Sequence, residues 1–360
     1  MCPLRRFPRR SRSYTAQTAD NFVGALKALL FSSRTLSPFC LAPLFFFSSQ
    51  HEILNSDSMS NSTIHSDHPI SSPYGYVPSR GVAVIFLILF GLSTAAHLGQ
   101  AIMYRMWWLF PTAFLCGLGE LTGWSGRLWS SISPREANPY MMQITTTIIS
   151  PTPLIAVNFI VLGHIIRRLG PCYSRLSPRN YTRIFLSCDL VALLIQGAGG
   201  GIAASSNPRK TGSTKTQELG GHIMLVGIIF QLVALCVYSF LGVQFIRNYR
   251  ASRPVRPMIS SAERGILTQR VRLMLWALTV STSVLLIRGV YRTIELADGW
   301  TGEVITTEFW FNMFDGGMVI VAIWTINIAH PGLLLSAEKE REGLMLKQIS
   351  SSTSLTSLAV

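Results

Sequence analysis

Charge is scarce in this chain. Only 13% of its 360 residues are charged and 49% are hydrophobic. Soluble domains carry about 25% charged residues. With a mean hydropathy of +0.36, the shortage excludes an ordinary soluble domain and points to the membrane class. Cysteine-pairing signals are missing as well. Cys2, Cys40, Cys116, Cys172, Cys188 and Cys236 show no CxxC spacing, and three of them lie inside apolar runs. No disulfide framework and no zinc site is expected. His97 and His222 are lone histidines in or at the edge of apolar runs, with no HExxH and no His/Asp cluster around them, which argues against metal hydrolysis. There is no GxxxxGK[ST] phosphate loop and no nucleotide fingerprint, so neither ATP hydrolysis nor a cofactor is expected. The net charge of +14 would suit nucleic acid. The basic residues, however, stand in short segments between apolar runs, with no basic face interleaved with aromatics. No nucleic-acid partner is expected.

What is present is a series of seven apolar stretches: Val82–Tyr104, Trp107–Trp124, Met141–Ile166, Ile184–Ser205, Leu219–Ile246, Val271–Tyr291 and Phe309–His330. A helix that crosses a bilayer needs about 20 mostly apolar residues. The pattern predicts an all-α, polytopic membrane protein, a seven-helix bundle. The second run is the shortest, broken by Pro111, Gly117, Gly119 and Glu120. Pro151 and Pro153 are expected to kink the third helix near mid-membrane, which neighbouring helices tolerate by satisfying the freed carbonyls. Gly197 and Gly201 form a GxxxG expected to pack closely against another helix; a local break beside Gln196 is the weaker alternative.

Loop charge orients the bundle. Arg167, Arg168, Arg175, Arg179 and Arg183 follow the third run, and Arg247, Arg250, Arg253, Arg256, Arg264 and Arg270 follow the fifth. Lys339, Arg341 and Lys347 follow the seventh, whereas the segment before it carries Glu295, Asp298, Glu303 and Glu308. Arg and Lys accumulate on the cytosolic side, so the N terminus is expected outside and the C terminus in the cytosol. The Asn61 sequon is then available for glycosylation and the Asn180 sequon is not; glycan on Asn180 but not on Asn61 would overturn this orientation. Four regions are expected. Residues 1–58 form an extension, in which five arginines from Arg5 to Arg12 precede a short apolar run around Leu41–Phe47; it reads as a targeting segment or a mis-assigned start. Residues 59–80 form a short outer tail, 81–332 the helical domain, and 333–360 a disordered cytosolic tail.

Intramembrane charges are the candidate functional residues. One at the bilayer centre costs about 2.5–3.5 kcal/mol, so it faces protein or water. Arg288, Arg292 and Glu295 are spaced i, i+4, i+7 and share a helical face, as do Glu308 and Asp315. Glu120 and Arg127 stand on the second helix, Asp189 near the cytosolic end of the fourth with Gln196 about two turns deeper, and Gln231 on the fifth. Glu120, Arg288, Arg292, Glu308 and Asp315 are expected to converge in the outer half of the membrane, with Gln143 nearby. Two readings follow: an ion-paired clamp on helices two, six and seven, or a hydrated cavity that takes a polar headgroup. If Arg288 and Asp315 pair, exchanging them should restore folding.

These residues also fall into a recognisable order. Helix two reads Glu120-Leu-Thr-Gly123-Trp124-Ser-Gly126-Arg127, and helix four Asp189 to Gln196-Gly-Ala-Gly-Gly-Gly201. Helix five carries Gly227-Ile-Ile-Phe-Gln231. Helices six and seven give Arg288-Gly-Val-Tyr-Arg292-Thr-Ile-Glu295, then Gly299, Gly302, Glu308 and Phe314-Asp315. From about Tyr74 to Gly332 the chain resembles the fungal RTA-like lipid-translocating exporter family. Trp124 departs from the tyrosine usual there, and keeps what is expected to be an interfacial aromatic. The resemblance implies a seven-helix plasma-membrane protein, with a vacuolar or other endomembrane location as the alternative. It further implies movement of sphingoid long-chain bases or toxic amphiphiles towards the outer leaflet, a contribution to resistance, membrane lipids and amphiphilic small molecules as partners, and no catalytic residues. The alternative is a seven-helix receptor or sensor. A DRY-like triplet would favour it, but helix three ends His164-Ile-Ile-Arg167-Arg168, and no NPxxY follows in helix seven.

Overall fold

The computed structural model describes residues 74–205, 213–256, 264–300 and 302–336. The expectations for residues 1–58, for Asn61 and for the tail beyond 336 lie outside the described residues. Every regular element among the described residues is helical. Six helices are long and apolar enough to cross a membrane: α1 (Arg80–Met103), α3 (Ala137–Leu169), α4 (Pro178–Ala204), α6 (Gln269–Ala297), α7 (Glu308–Leu334), and the apolar span Lys215–Arg250 within α5 (Ser213–Arg250). Between α1 and α3 lies α2 (Leu115–Ile132), entered through a π-helical stretch at Phe110–Phe114 that contains Pro111. It is less apolar than the six, because it carries Glu120 and Arg127 in a short helix.

Contacts show that α2 nevertheless runs the length of the bundle. Ser79 meets Glu308, with its N–H donating at 2.9 Å to Oε1. His97 lies 3.3 Å from the Ile323 carbonyl, and the Tyr104 and His330 rings are 4.9 Å apart. Residue numbers rise together along this seam, so α1 and α7 run parallel, and the number of crossings from α1 to α7 inclusive is odd. Arg80 donates to the Ser131 carbonyl at 3.3 Å, whereas Met106, just before α2, approaches Gly332. The α2 segment therefore runs the full length of the bundle beside α1, as its seventh helix.

The connections sort to two ends. At one end are Ser79, Ser131 and Glu308, with the Trp300 indole donating to the Gln217 carbonyl at 3.1 Å. At the other, the Val255 N–H donates to the Cys172 carbonyl at 2.9 Å, and that of Gly265 to Leu169 at 3.2 Å. This second end gathers the arginine-rich segments after α3 and α5. Helix α3 is the most enclosed, with nearly every residue from Leu154 to Ile166 buried. Its prolines interrupt the hydrogen-bond ladder more than the helix: Ser150 keeps helical angles of φ −55° and ψ −39°.

Helices α4 and α5 pack through small residues, but not through the expected pair. A Cβ at Gly197 or Gly201 would meet nothing within 4 Å. One at Gly199 would stand 2.7 Å from the Gly220 carbonyl oxygen, and one at Gly220 2.5 Å from the Ala203 amide nitrogen. The rotation of α4 turns Gly199 and Ala203 inward and leaves the GxxxG spacing pointing away. Gly220→Val should therefore destabilise the bundle by about 1–3 kcal/mol or more through overpacking, while Gly201→Val changes little; thermal unfolding of the two variants in detergent separates them. Trp124 is likewise not interfacial. It is fully buried and stacks on Phe86 with ring centroids 4.0 Å apart and planes at 8°. The helix continues two turns beyond it, which carries Trp124 inward. Gly316 of α7 faces this pair, and a Cβ there would come 2.8 Å from the Phe86 ring.

Candidate functional site

The centre of the polar interior is Arg292 on α6. Its guanidinium grips Asp315 of α7 with two parallel bonds, Nε to Oδ1 at 2.8 Å and Nη2 to Oδ2 at 2.6 Å. Nη1 donates to Glu295 Oε2 at 2.5 Å, and Nη2 also to Thr147 Oγ1 of α3 at 2.8 Å. The second oxygen of Glu295 accepts from the Tyr291 hydroxyl at 3.0 Å. Arg292, Glu295 and Asp315 are each 1% exposed. A network this deep is tolerated only because its lone pairs and protons are met.

Arg288 enters one turn earlier on α6. Its Nε lies 2.8 Å from Asp315 Oδ1, close enough for an ion pair but off the line of a hydrogen bond. Its Nη2 donates to the Thr147 carbonyl at 2.5 Å. That carbonyl is free for a local reason: its usual partner would be the N–H of residue 151, which is proline. The α3 prolines thus create an acceptor where α6 brings a cation. The same geometry changes the charge-exchange experiment. Asp315 serves Arg288 and Arg292 together, so exchanging Arg288 with Asp315 would set the new arginine against Arg292.

Arg127 on α2 belongs to a second cluster nearer the Ser79 end. Its Nη2 donates to the Tyr76 hydroxyl at 2.9 Å and to Glu308 Oε1 at 3.2 Å. Glu308 Oε1 also accepts from the Ser79 hydroxyl at 3.0 Å. Tyr74 donates to Ser130 Oγ at 3.1 Å; burial pushes its hydroxyl up to about 12, which keeps it a neutral donor. The two clusters meet at Phe311, with the Arg127 guanidinium 4.5 Å from its ring centroid and that of Arg292 5.2 Å. Such cation–π contacts contribute about 0.5–2 kcal/mol each. Helix α7 is π-helical from Phe311 to Gly317, so Phe311 and Asp315 sit in a locally wider turn, a feature that often marks functional positions.

Glu120 stands apart from both clusters. It is fully buried, and neither carboxylate oxygen has an aligned hydrogen-bond partner. Arg288, Arg292 and Asp315 are its charged neighbours. Two arginines therefore face three carboxyls here: Glu120, Glu295 and Asp315. Because α2 runs on to Ile132, Glu120 lies about 18 Å from that end at 1.5 Å per residue. It is near the middle of the length of α2 and its preceding turns.

Asp189 is the other buried acid without an ion pair among the described residues. It is 2% exposed, and neither oxygen has an aligned hydrogen bond among the described residues, although the Gln231 side chain lies within hydrogen-bonding reach. It also lies deeper than the apolar run suggests. Helix α4 begins at Pro178, which places Asp189 about 16 Å in from that end. Its polar neighbour is Gln231 of α5. Gln231 accepts from Gln196 Nε2 at 2.9 Å and donates to Thr152 Oγ1 of α3 at 3.1 Å. Gln231, Arg288 and Arg292 line one crevice with apolar walls that include Ile228, Leu232 and Leu285; it measures about 20 Å³, room for roughly one water. Gln143 is buried, and its backbone carbonyl accepts from Thr147 Oγ1 at 2.9 Å. Thr147, Tyr76, Ser79 and Phe311 carry no charge signal in the sequence; only the i−4 relation of Thr147 to Pro151 could have singled one of them out. Among the described residues, no group of three or more His, Cys, Asp and Glu could hold a metal.

Fold and site together define an integral membrane protein whose polar groups are turned into the bundle and away from lipid. The chain belongs to the RTA1-like family: the sequence model described as RTA1 like protein matches residues 113–338. It is 28% identical to the sphingoid long-chain base transporter of Saccharomyces cerevisiae over 72% of this chain and 73% of the relative. It is 27% identical to a lipid-translocating exporter-like protein of Leptosphaeria maculans over 74% of this chain and 52% of that protein. It is 23% identical to protoporphyrin uptake protein 1 of Saccharomyces cerevisiae over 71% and 90%. No solved structure matches the chain.

Proposed function

We propose that this protein translocates lipids or other amphiphiles with a cationic headgroup, sphingoid long-chain bases among them, towards the outer leaflet. It does so as a transporter and not as an enzyme, in the plasma membrane, with the arginine-rich end in the cytosol as the positive-inside rule requires. The names of the three relatives support movement of lipid or porphyrin, and none of the three is named as a receptor. The observation that carries the reading is Glu120. Asp315 and Glu295 are neutralised by Arg288 and Arg292, and Glu308 is neutralised by Arg127 and hydrogen-bonded by Ser79. Glu120 is the carboxylate of that region left for an ammonium group, beside arginines that line an apolar-walled crevice.

The crevice is too small for a headgroup in this conformation. It opens where Leu232 of α5 abuts Gly289 of α6, a contact in which a Cβ on Gly289 would stand 3.0 Å from the leucine. Parting of α5 and α6 at this contact admits the chain laterally. The test is flux. Purified protein in vesicles, with a labelled long-chain base in the arginine-side leaflet, should raise the rate at which label becomes extractable from the opposite leaflet at least tenfold over protein-free vesicles. Equal rates would contradict the reading.

A further inference from the structure

Between Asp189 and Glu120 lie several polar groups, part of them hydrogen-bonded to one another. From Asp189, Gln196 lies seven residues along the same face of α4, about 10 Å further from the arginine-rich end. Gln196, Gln231 and Thr152 form an unbroken hydrogen-bonded chain. Thr152 and Thr147 stand five residues apart on α3, about 7.5 Å, and Thr147 touches both arginines that neighbour Glu120. Gln231 and the two arginines share the walls of one crevice. The ladder extends about 18 Å along the bundle, more than half of a hydrocarbon core of about 30 Å.

An ionised carboxylate buried without a partner is costly, and such groups take up a proton instead. The charged groups facing Glu120 are Arg288 and Arg292 from α6 and Asp315 from α7, with the Cys116 thiol on its own helix. Asp189 faces the Gln231 amide from α5, and no ion pair forms to it among the described residues.

We propose that Asp189 and Glu120 are two exchange stations at which a cationic headgroup displaces a proton, so that translocation is an electroneutral exchange of one proton for one cation. The proposal rests on the translocator reading and adds its driving force. At each station the O–H proton leaves to water as the ammonium pairs with the carboxylate, and release reverses the step, so the station's charge balance is unchanged.

The test uses the full chain in vesicles and a fluorescent single-chain amphiphile with a trimethylammonium headgroup. This probe has no neutral form, so it cannot redistribute passively as a free amine. One pH unit across the membrane should shift its steady-state transbilayer ratio about tenfold, since one unit is a tenfold difference in proton activity. An imposed potassium diffusion potential should leave the ratio unchanged. Glu120→Gln and Asp189→Asn should each abolish the pH response, and Asp189→Glu should keep it. Flux that follows the potential and ignores pH would overturn the proposal, as would variants with the wild-type pH response. The wild-type result decides by itself if a variant fails to fold. Absence of flux under every gradient fails the translocator reading and the exchange proposal with it; flux without pH response fails the exchange proposal alone.

Discussion

Asp315→Asn lowers the stability of the bundle by about 3–5 kcal/mol, the range for removing one partner of a buried ion pair. The carboxylate holds two cations, bidentate to Arg292 and at 2.8 Å from Arg288. Asparagine keeps the shape and removes the charge. Arg292 retains Glu295, but Arg288 loses its ion-pair partner and keeps the Thr147 carbonyl with Glu120 only as a nearby charge, and the two guanidiniums, one turn apart on α6, repel. The expected result is a large drop in the detergent unfolding temperature and poor recovery of folded protein. Asp315→Glu should be milder, since it keeps the charge and misplaces only the bidentate geometry. Arg292→Lys should behave like the asparagine variant, because a lysine cannot make the forked contact to Asp315 while also reaching Glu295 and Thr147.

Glu120→Gln has the opposite signature. No ion pair is lost, because the Glu120 carboxylate makes none among the described residues, and its hydrogen-bonding neighbour, the Trp124 indole, can be met by a glutamine oxygen as well. An amide of the same size should change stability by less than about 1 kcal/mol, the scale of a neutral buried hydrogen bond. Flux of a cationic amphiphile should fall at least tenfold. The contrast separates the roles: Asp315 holds helices together, and Glu120 handles cargo. A variant that unfolds like Asp315→Asn while its folded fraction transports normally would assign Glu120 to the clamp.

The helices and most of the charged positions could be read from the sequence, for reasons that also explain the misses. Long apolar runs are set by bilayer thickness, so they survive in any packing. The run on α2 ended early because Arg127 and the serines beyond it lower its hydropathy, although the helix continues to Ile132; the misplaced end in turn misplaced Trp124. The i, i+4, i+7 spacing of Arg288, Arg292 and Glu295 fixes a shared face before any partner is known. Their partner on α3 was not legible, because Thr147 is a neutral residue in an apolar helix and its freed carbonyl belongs to the backbone. The GxxxG at Gly197 and Gly201 failed for a related reason. Spacing shows that two glycines share a face, but the rotation of α4 decides whether that face meets α5, and it is Gly199 and Ala203 that do.

The central claim is that cargo crosses inside the bundle, along the crevice between α3, α5 and α6. Photolabelling tests it most directly. A long-chain amine with a diazirine near its headgroup, irradiated with the purified protein in lipid and mapped by mass spectrometry, should mark Ile228, Gln231, Leu232, Leu285 or Gly289. Excess unlabelled long-chain base should suppress the labelling, and Glu120→Gln should weaken it. Label confined to lipid-facing positions such as Leu190, Leu194 and Val233, which are 58%, 63% and 56% exposed, and insensitive to competitor would contradict passage through the interior.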